Sequence, residues 1–186
     1  MAIAQRGLTL EEFLRLPERK PALEFEDGVV TQKVSPKLPH GWLQAKLVEL
    51  INRSVEPSKR ARAFPELRTT FAGSSRVPDV AVYLWERIPR DPNGRMALDA
   101  TIPPDIAIEI VSPRQSVTAL VRRCLRFIQE GVTLAVLVDP QDESIIRFGP
   151  GASTSALRCQ DRLDLNPVLP GFELVVQDLF DTLKLD

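Results

Sequence analysis

The chain has a single histidine, His40, two cysteines, Cys124 and Cys159, and nine glycines in 186 residues. Each shortage removes a class of chemistry. The cysteines have no metal-ligand spacing, and Cys124 falls on the apolar stripe of a predicted helix, where it serves as a small hydrophobe. His40 has no serine or cysteine partner in a recognisable motif, which makes it a weak centre for nucleophilic catalysis. The glycines form no phosphate-cradling motif, so nucleotide-triphosphate chemistry has no support. An excess of one charge is also missing: 24 Lys and Arg nearly balance 25 Asp and Glu, and no global basic field attracts nucleic acid. No run of about 18 apolar residues occurs, and Met1 to Gly7 lacks a long apolar stretch. The expectation is a cytoplasmic protein with neither signal peptide nor membrane span.

With 44% apolar and 26% charged residues, the chain reads as one globular domain over residues 1–186. Thr9-Leu10-Glu11-Glu12 is a capping box that opens a short helix ended by Pro17. Ala22 to Phe25 and Val29 to Val34 flank Asp27-Gly28, a dipeptide suited to a tight hairpin. Pro36 and Pro39 precede a second helix marked by Leu43, Leu47, Leu50 and Ile51, with His40 standing just before it. Ala63 to Ala72 predicts one strand, Gly73-Ser74-Ser75 a turn, and Val77 to Leu84 another strand. Residues 87–104, with four prolines, read as a mobile surface loop. Ile106 to Val111 predicts a strand covered on both faces. A helix follows from Val117 to Glu130, with Gly131 past its end. Leu134 to Val138 and Ile145 to Phe148 predict a strand pair, Gly149 to Ala156 a loop, Phe172 to Val176 a strand, and Asp178 to Phe180 a closing helix. Strands and helices mix without strict alternation, so the expected class is α/β of a mixed α+β kind, a central mixed sheet flanked by helices, with an N-terminal helix and hairpin extension.

Two acids are out of place in this pattern. Asp79 in Val77-Pro78-Asp79-Val80-Ala81-Val82 and Glu109 in Ile106-Ala107-Ile108-Glu109-Ile110 stand in buried apolar strands, where an unpaired charge is costly. If the strands are neighbours, the carboxylates can share one hard divalent cation such as Mg²⁺ and support phosphodiester hydrolysis. The commoner arrangement for buried acids is that each forms an ion pair with an arginine or caps a loop. The arginines pose a similar choice. Arg122, Arg123 and Arg126 share one side of the third helix, and Arg53, Lys59, Arg60 and Arg62 form a second group. Either set can hold phosphates or be a solvated face.

The order Leu8-Thr9-Leu10-Glu11-Glu12-Phe13-Leu14, Leu23-Glu24-Phe25-Glu26-Asp27-Gly28, His40, Val77-Pro78-Asp79, Ile108-Glu109-Ile110-Val111-Ser112-Pro113, Gly131-Val132, Val138-Asp139-Pro140 and Leu169-Pro170-Gly171-Phe172 resembles the Uma family of restriction endonucleases, over nearly the whole chain. The resemblance implies a restriction-endonuclease-like fold and a PD-(D/E)xK type of site in a DNA nuclease dependent on Mg²⁺, with Mn²⁺ a possible substitute. Asp79 and Glu109 would bind the metal, Glu24 would add an acid beside it, and His40 would open the helix next to it. Two residues after Glu109, where the motif has lysine, stands Val111. In relatives the lysine comes from the following helix, at the place of Arg123 here, and another helix position, usually acidic, is Ala119. Arginine can stabilise a phosphate oxyanion but cannot act as a general base. The resemblance therefore leaves two functions, an endonuclease or an impaired nuclease scaffold that binds nucleic acid or a protein partner without cleavage. A homodimer is expected by analogy with nucleases that cut both strands.

Overall fold

The computed structural model describes residues 5–55 and 57–185. Asp27 and Gly28 both have positive φ, as a two-residue hairpin loop requires, and they join β2 (Leu23–Glu26) to β3 (Val29–Gln32) as the dipeptide predicts. With β1 (Gln5–Arg6) outside β3, this hairpin belongs to a five-stranded antiparallel sheet. The Thr9 capping box is present and starts α1 (Leu10–Leu14), whose Phe13 stacks on Phe25.

Leu38 begins α2 (Leu38–Val55), earlier than the apolar spacing suggested. Pro39 is tolerated because the first turn of a helix needs no N–H from it. His40 consequently lies inside the helix and is buried, not in front of it. The segment 63–72 also departs from expectation. It splits into β4 (Ala61–Pro65) and β5 (Thr69–Phe71), which belong to different sheets. Ala72 and Gly73, both at positive φ, make the turn, and Ser74–Arg76 is not a turn but strand β6. The five-stranded sheet thus has the order β1-β3-β2-β6-β5.

A six-stranded sheet forms the centre. Its remaining strands are β7 (Val80–Leu84), β8 (Ile106–Ile110), β9 (Leu134–Asp139), β10 (Ser144–Phe148) and β11 (Thr154–Arg158), in the order β11-β10-β9-β8-β7-β4. Only β8 and β9 run parallel, because α3 (Val117–Gln129) crosses between them; the other neighbours are antiparallel. Strand β11 begins within the stretch expected to be loop. The 87–104 segment is anchored rather than free, since Thr70 N–H donates to Ala100 O and Ile88 and Ala100 are buried.

Alternation along β8 decides which helix each residue meets. Ile106, Ile108 and Ile110 pack with Leu43, Leu47 and Ile51 of α2, while Ala107 and Val111 pack with Leu120, Cys124 and Phe127 of α3. Glu109 shares the parity of the second group, so the sheet turns it towards α3. The chain closes with β12 (Arg162–Asp164), paired with β13 (Glu173–Val175), and α4 (Val176–Asp181). Among the described residues no helix is long and apolar enough to cross a membrane.

Candidate active site

The antiparallel pairing of β7 and β8 sets Val80 opposite Ile108, and one step further along this register Asp79 stands opposite Glu109. Two carboxylates are therefore cross-strand neighbours in the interior, 2% and 3% exposed, an arrangement that destabilises the sheet unless cations compensate it. The compensation comes from three other parts of the chain.

Lys33, immediately after β3, reaches Asp79 Oδ1 at 2.7 Å and the Val77 carbonyl at 2.7 Å through Nζ. His40 Nε2 lies 3.3 Å from the same Oδ1, while its Nδ1 is 2.8 Å from Ser112 Oγ. That pattern suits a ring whose Nε2–H faces Asp79 and whose Nδ1 accepts from the Ser112 hydroxyl. The Ile110 N–H donates to Asp79 Oδ2 at 2.7 Å, and Gln44 Nε2 donates to the Asp79 carbonyl at 2.8 Å. Asp79 is thus held at both carboxylate oxygens and through its backbone.

Arg123 divides its donors unequally. Nη1 and Nη2 form a fork on Glu24 at 3.0 and 2.6 Å, while Nε alone reaches Glu109, at 2.7 Å. Glu24 also accepts from the Val77 N–H at 2.7 Å, and the Phe127 ring supports the Arg123 guanidinium at 5.3 Å.

The unequal division shows in the ionisation. Burial raises the carboxyl of Asp79, but the His40 and Lys33 contacts outweigh it and bring its pKa to about 2. Burial likewise acts against Glu24, where Arg123 wins and the pKa is lowered. Glu109 goes the other way. Burial dominates, the single Arg123 contact opposes it, Asp79 across the strands adds repulsion, and the pKa rises to about 7. Burial disfavours the charged forms of Lys33 and Arg123, yet the surrounding carboxylates outweigh it and hold both above their ordinary values.

The five residues proposed from sequence, Glu24, His40, Asp79, Glu109 and Arg123, therefore meet in one buried cluster. Lys33, Gln44 and Ser112 are additional members. A signal for Lys33 was available: hairpin register places Gln32 opposite Leu23, so the next residue emerges on the strand pair that carries Glu24. The two basic groups resolve differently from either option. Arg123 turns into the site, Arg126 is tied to Glu26, Asp27 and Glu130, Arg53 pairs with Glu49, and Arg60 donates to the Pro170 carbonyl. Most of those charges serve internal pairing. Among the described residues no group of three or more His, Cys, Asp or Glu side chains is assembled as a metal cage.

The sequence profile of the Uma2 family, described as "Putative restriction endonuclease", matches residues 10–177. The chain belongs to the Uma2 family. Its nuclease-like fold is shared with a crystal structure from Anabaena variabilis described as "a putative nuclease belonging to DUF820". The two chains are 37% identical with a TM-score of 0.92, over 96% of this chain and 100% of that one. No match arises among curated proteins. In this Uma2 chain the matched span takes in every member of the cluster, from Glu24 on β2 to Arg123 on α3.

Proposed function

We propose that this Uma2 protein is a DNA endonuclease of the PD-(D/E)xK kind, dependent on Mg²⁺ or Mn²⁺, with Asp79 and Glu109 as the metal-binding acids. One observation carries the reading: Glu24, Asp79 and Glu109 converge with only two fixed cations, Lys33 and Arg123, among them. Three carboxylates against two such charges leave a deficit, and a hard divalent cation fits it. Two carboxylate ligands, with the remaining positions left to water and phosphate oxygen, are a usual arrangement for Mg²⁺. Such an ion would supply Lewis-acid stabilisation of the phosphate and a more acidic water.

The chain's own groups divide the remaining work. Lys33 restores a lysine at the acids although Val111 occupies the motif position, and its Asp79 contact keeps Nζ protonated as a hydrogen-bond donor for developing phosphate charge. Arg123 offers a second, permanently charged donor set and takes up no proton. His40 and Gln44 act on Asp79 as positioning residues.

The test is cleavage of supercoiled plasmid and single-stranded DNA with Mg²⁺ or Mn²⁺, comparing the protein with Asp79→Ala. Cleavage that needs both metal and Asp79 supports the reading. Absence of cleavage by folded protein with both metals overturns it in favour of a nuclease scaffold that binds without cutting. The Arg123 clamp across Glu24 and Glu109 is the observation on that side.

A further inference from the structure

Several basic side chains that remain without partners belong to segments that lead directly to the site. Arg19, Lys20, Lys37 and Arg114 are exposed, and their side chains have no hydrogen-bond or ion-pair partner among the described residues; of the other described basic side chains, Lys59, Arg95 and Arg122 share that freedom. Those four lie on three segments, each linked to the Lys33–Asp79 pair by a shared cavity wall or by a few residues of chain. Arg19 and Lys20 line a cavity of about 630 Å³ whose other walls include Ser35, Pro36 and Val77, the last being the residue whose carbonyl accepts from Lys33. Lys37 stands four residues after Lys33, just before α2. Arg114, at φ 71°, belongs to the same loop as Ser112, the hydroxyl partner of His40.

The same segments expose apolar side chains. Leu38, the first residue of α2, is 91% exposed, and Val34 and Val117 are exposed as well. Free cations interleaved with exposed aliphatic groups suit a nucleic-acid strand, whose phosphates are charged and whose sugars and bases are not. A simple anion would use only the charges. The cavity is also lined by Glu18 and Glu66, which disfavour an anion inside it and leave the exposed cations around it to the phosphates.

We infer that this surface is the DNA-docking face of the protein, with Arg19, Lys20, Lys37 and Arg114 meeting backbone phosphates and Leu38 adding an apolar contact to the strand. The inference rests on the nuclease reading and deepens it, since it identifies where substrate lies.

The experiment is fluorescence anisotropy of a labelled DNA duplex in EDTA over a range of salt concentrations. Wild type is compared with the Arg19→Gln/Lys20→Gln/Lys37→Gln/Arg114→Gln variant, and with Lys59→Gln/Arg122→Gln as the control. The fourfold variant is expected to lower the slope of log Kd against log salt by roughly 0.9 for each phosphate it no longer neutralises, and the control to leave it unchanged. Leu38→Ser is expected to weaken binding at an unchanged slope. An unchanged slope in the fourfold variant, or a weakening confined to the control, overturns the docking face. Metal-dependent plasmid cleavage by wild type, measured in parallel, separates the failures. Cleavage with an unaltered KM in the fourfold variant removes this face and keeps the nuclease, whereas wild type that neither cleaves nor binds removes both.

Discussion

Replacing Glu109 by Gln isolates the electrostatic compromise at the centre of the site. In the folded protein Glu109 has a pKa of about 7, against an ordinary 4.5. Below pH 4.5 the residue is protonated in both states and costs nothing. Between pH 4.5 and 7 the folded state holds a proton that the unfolded state has released, so stability falls as pH rises through this window. Above pH 7 the penalty is constant. The gap, at about 1.36 kcal/mol per pH unit, corresponds to about 3 kcal/mol. Glutamine has nearly the same shape and its carbonyl can still accept from Arg123 Nε, but it never ionises. Relative to wild type, Glu109→Gln should gain about 3 kcal/mol between pH 4.5 and 7 and no more beyond. Asp79, at about 2, titrates below this window and leaves the difference undisturbed. Urea unfolding of both proteins in EDTA, at half-unit steps from pH 4 to 8.5, measures it. In thermal melts the same gain is roughly 6–12 °C for a chain of this size. A difference independent of pH, or one in which the variant loses ground as pH rises, would refute the reasoning by showing that Arg123 fully compensates Glu109.

Other perturbations probe the neighbouring contacts. Lys33→Met leaves the buried Asp79 without its main cation; it should cost about 3 kcal/mol in urea unfolding and lower plasmid cleavage about 100-fold or more. Asp79→Ala should abolish thermal stabilisation by Mg²⁺ while preserving the circular dichroism spectrum, and an undiminished metal response would remove Asp79 from the ligand set. Arg76→Met removes a guanidinium that is 1% exposed, lies over Phe71 and Phe127, and pairs with Glu130 and Glu26. The expected loss is about 3–5 kcal/mol, read as a lower urea midpoint. Thr9→Ala removes the N-cap of α1 and should cost about 1 kcal/mol, since Thr9 Oγ1 accepts from the Glu12 N–H.

Local chemistry was enough to place much of this protein. The Thr9 capping box, the Asp27-Gly28 hairpin and the stripe of Leu120, Cys124 and Phe127 ending near Gly131 each depend on residues within a few positions of one another, so pattern alone reveals them. Asp79 and Glu109 were visible for a related reason: an acid among branched apolar residues conflicts with its own strand, and the conflict marks a site. What compensates them was not visible. Lys33 meets Asp79 across 46 residues, and Arg123 meets Glu24 across 99. Helical periodicity put Arg122, Arg123 and Arg126 together on the polar side of α3, but it carries no information about what covers that side. Only when the β2–β3 hairpin and the end of β8 close on the helix is Arg123 drawn to Glu24 and Glu109, Arg126 drawn to Asp27, and Arg122 left in solvent. The division of Arg123 between two acids, enough to lower Glu24 but too little to offset the burial of Glu109, is likewise a property of distances. Sequence names the charges in such a site, while the tertiary structure decides which of them are paired.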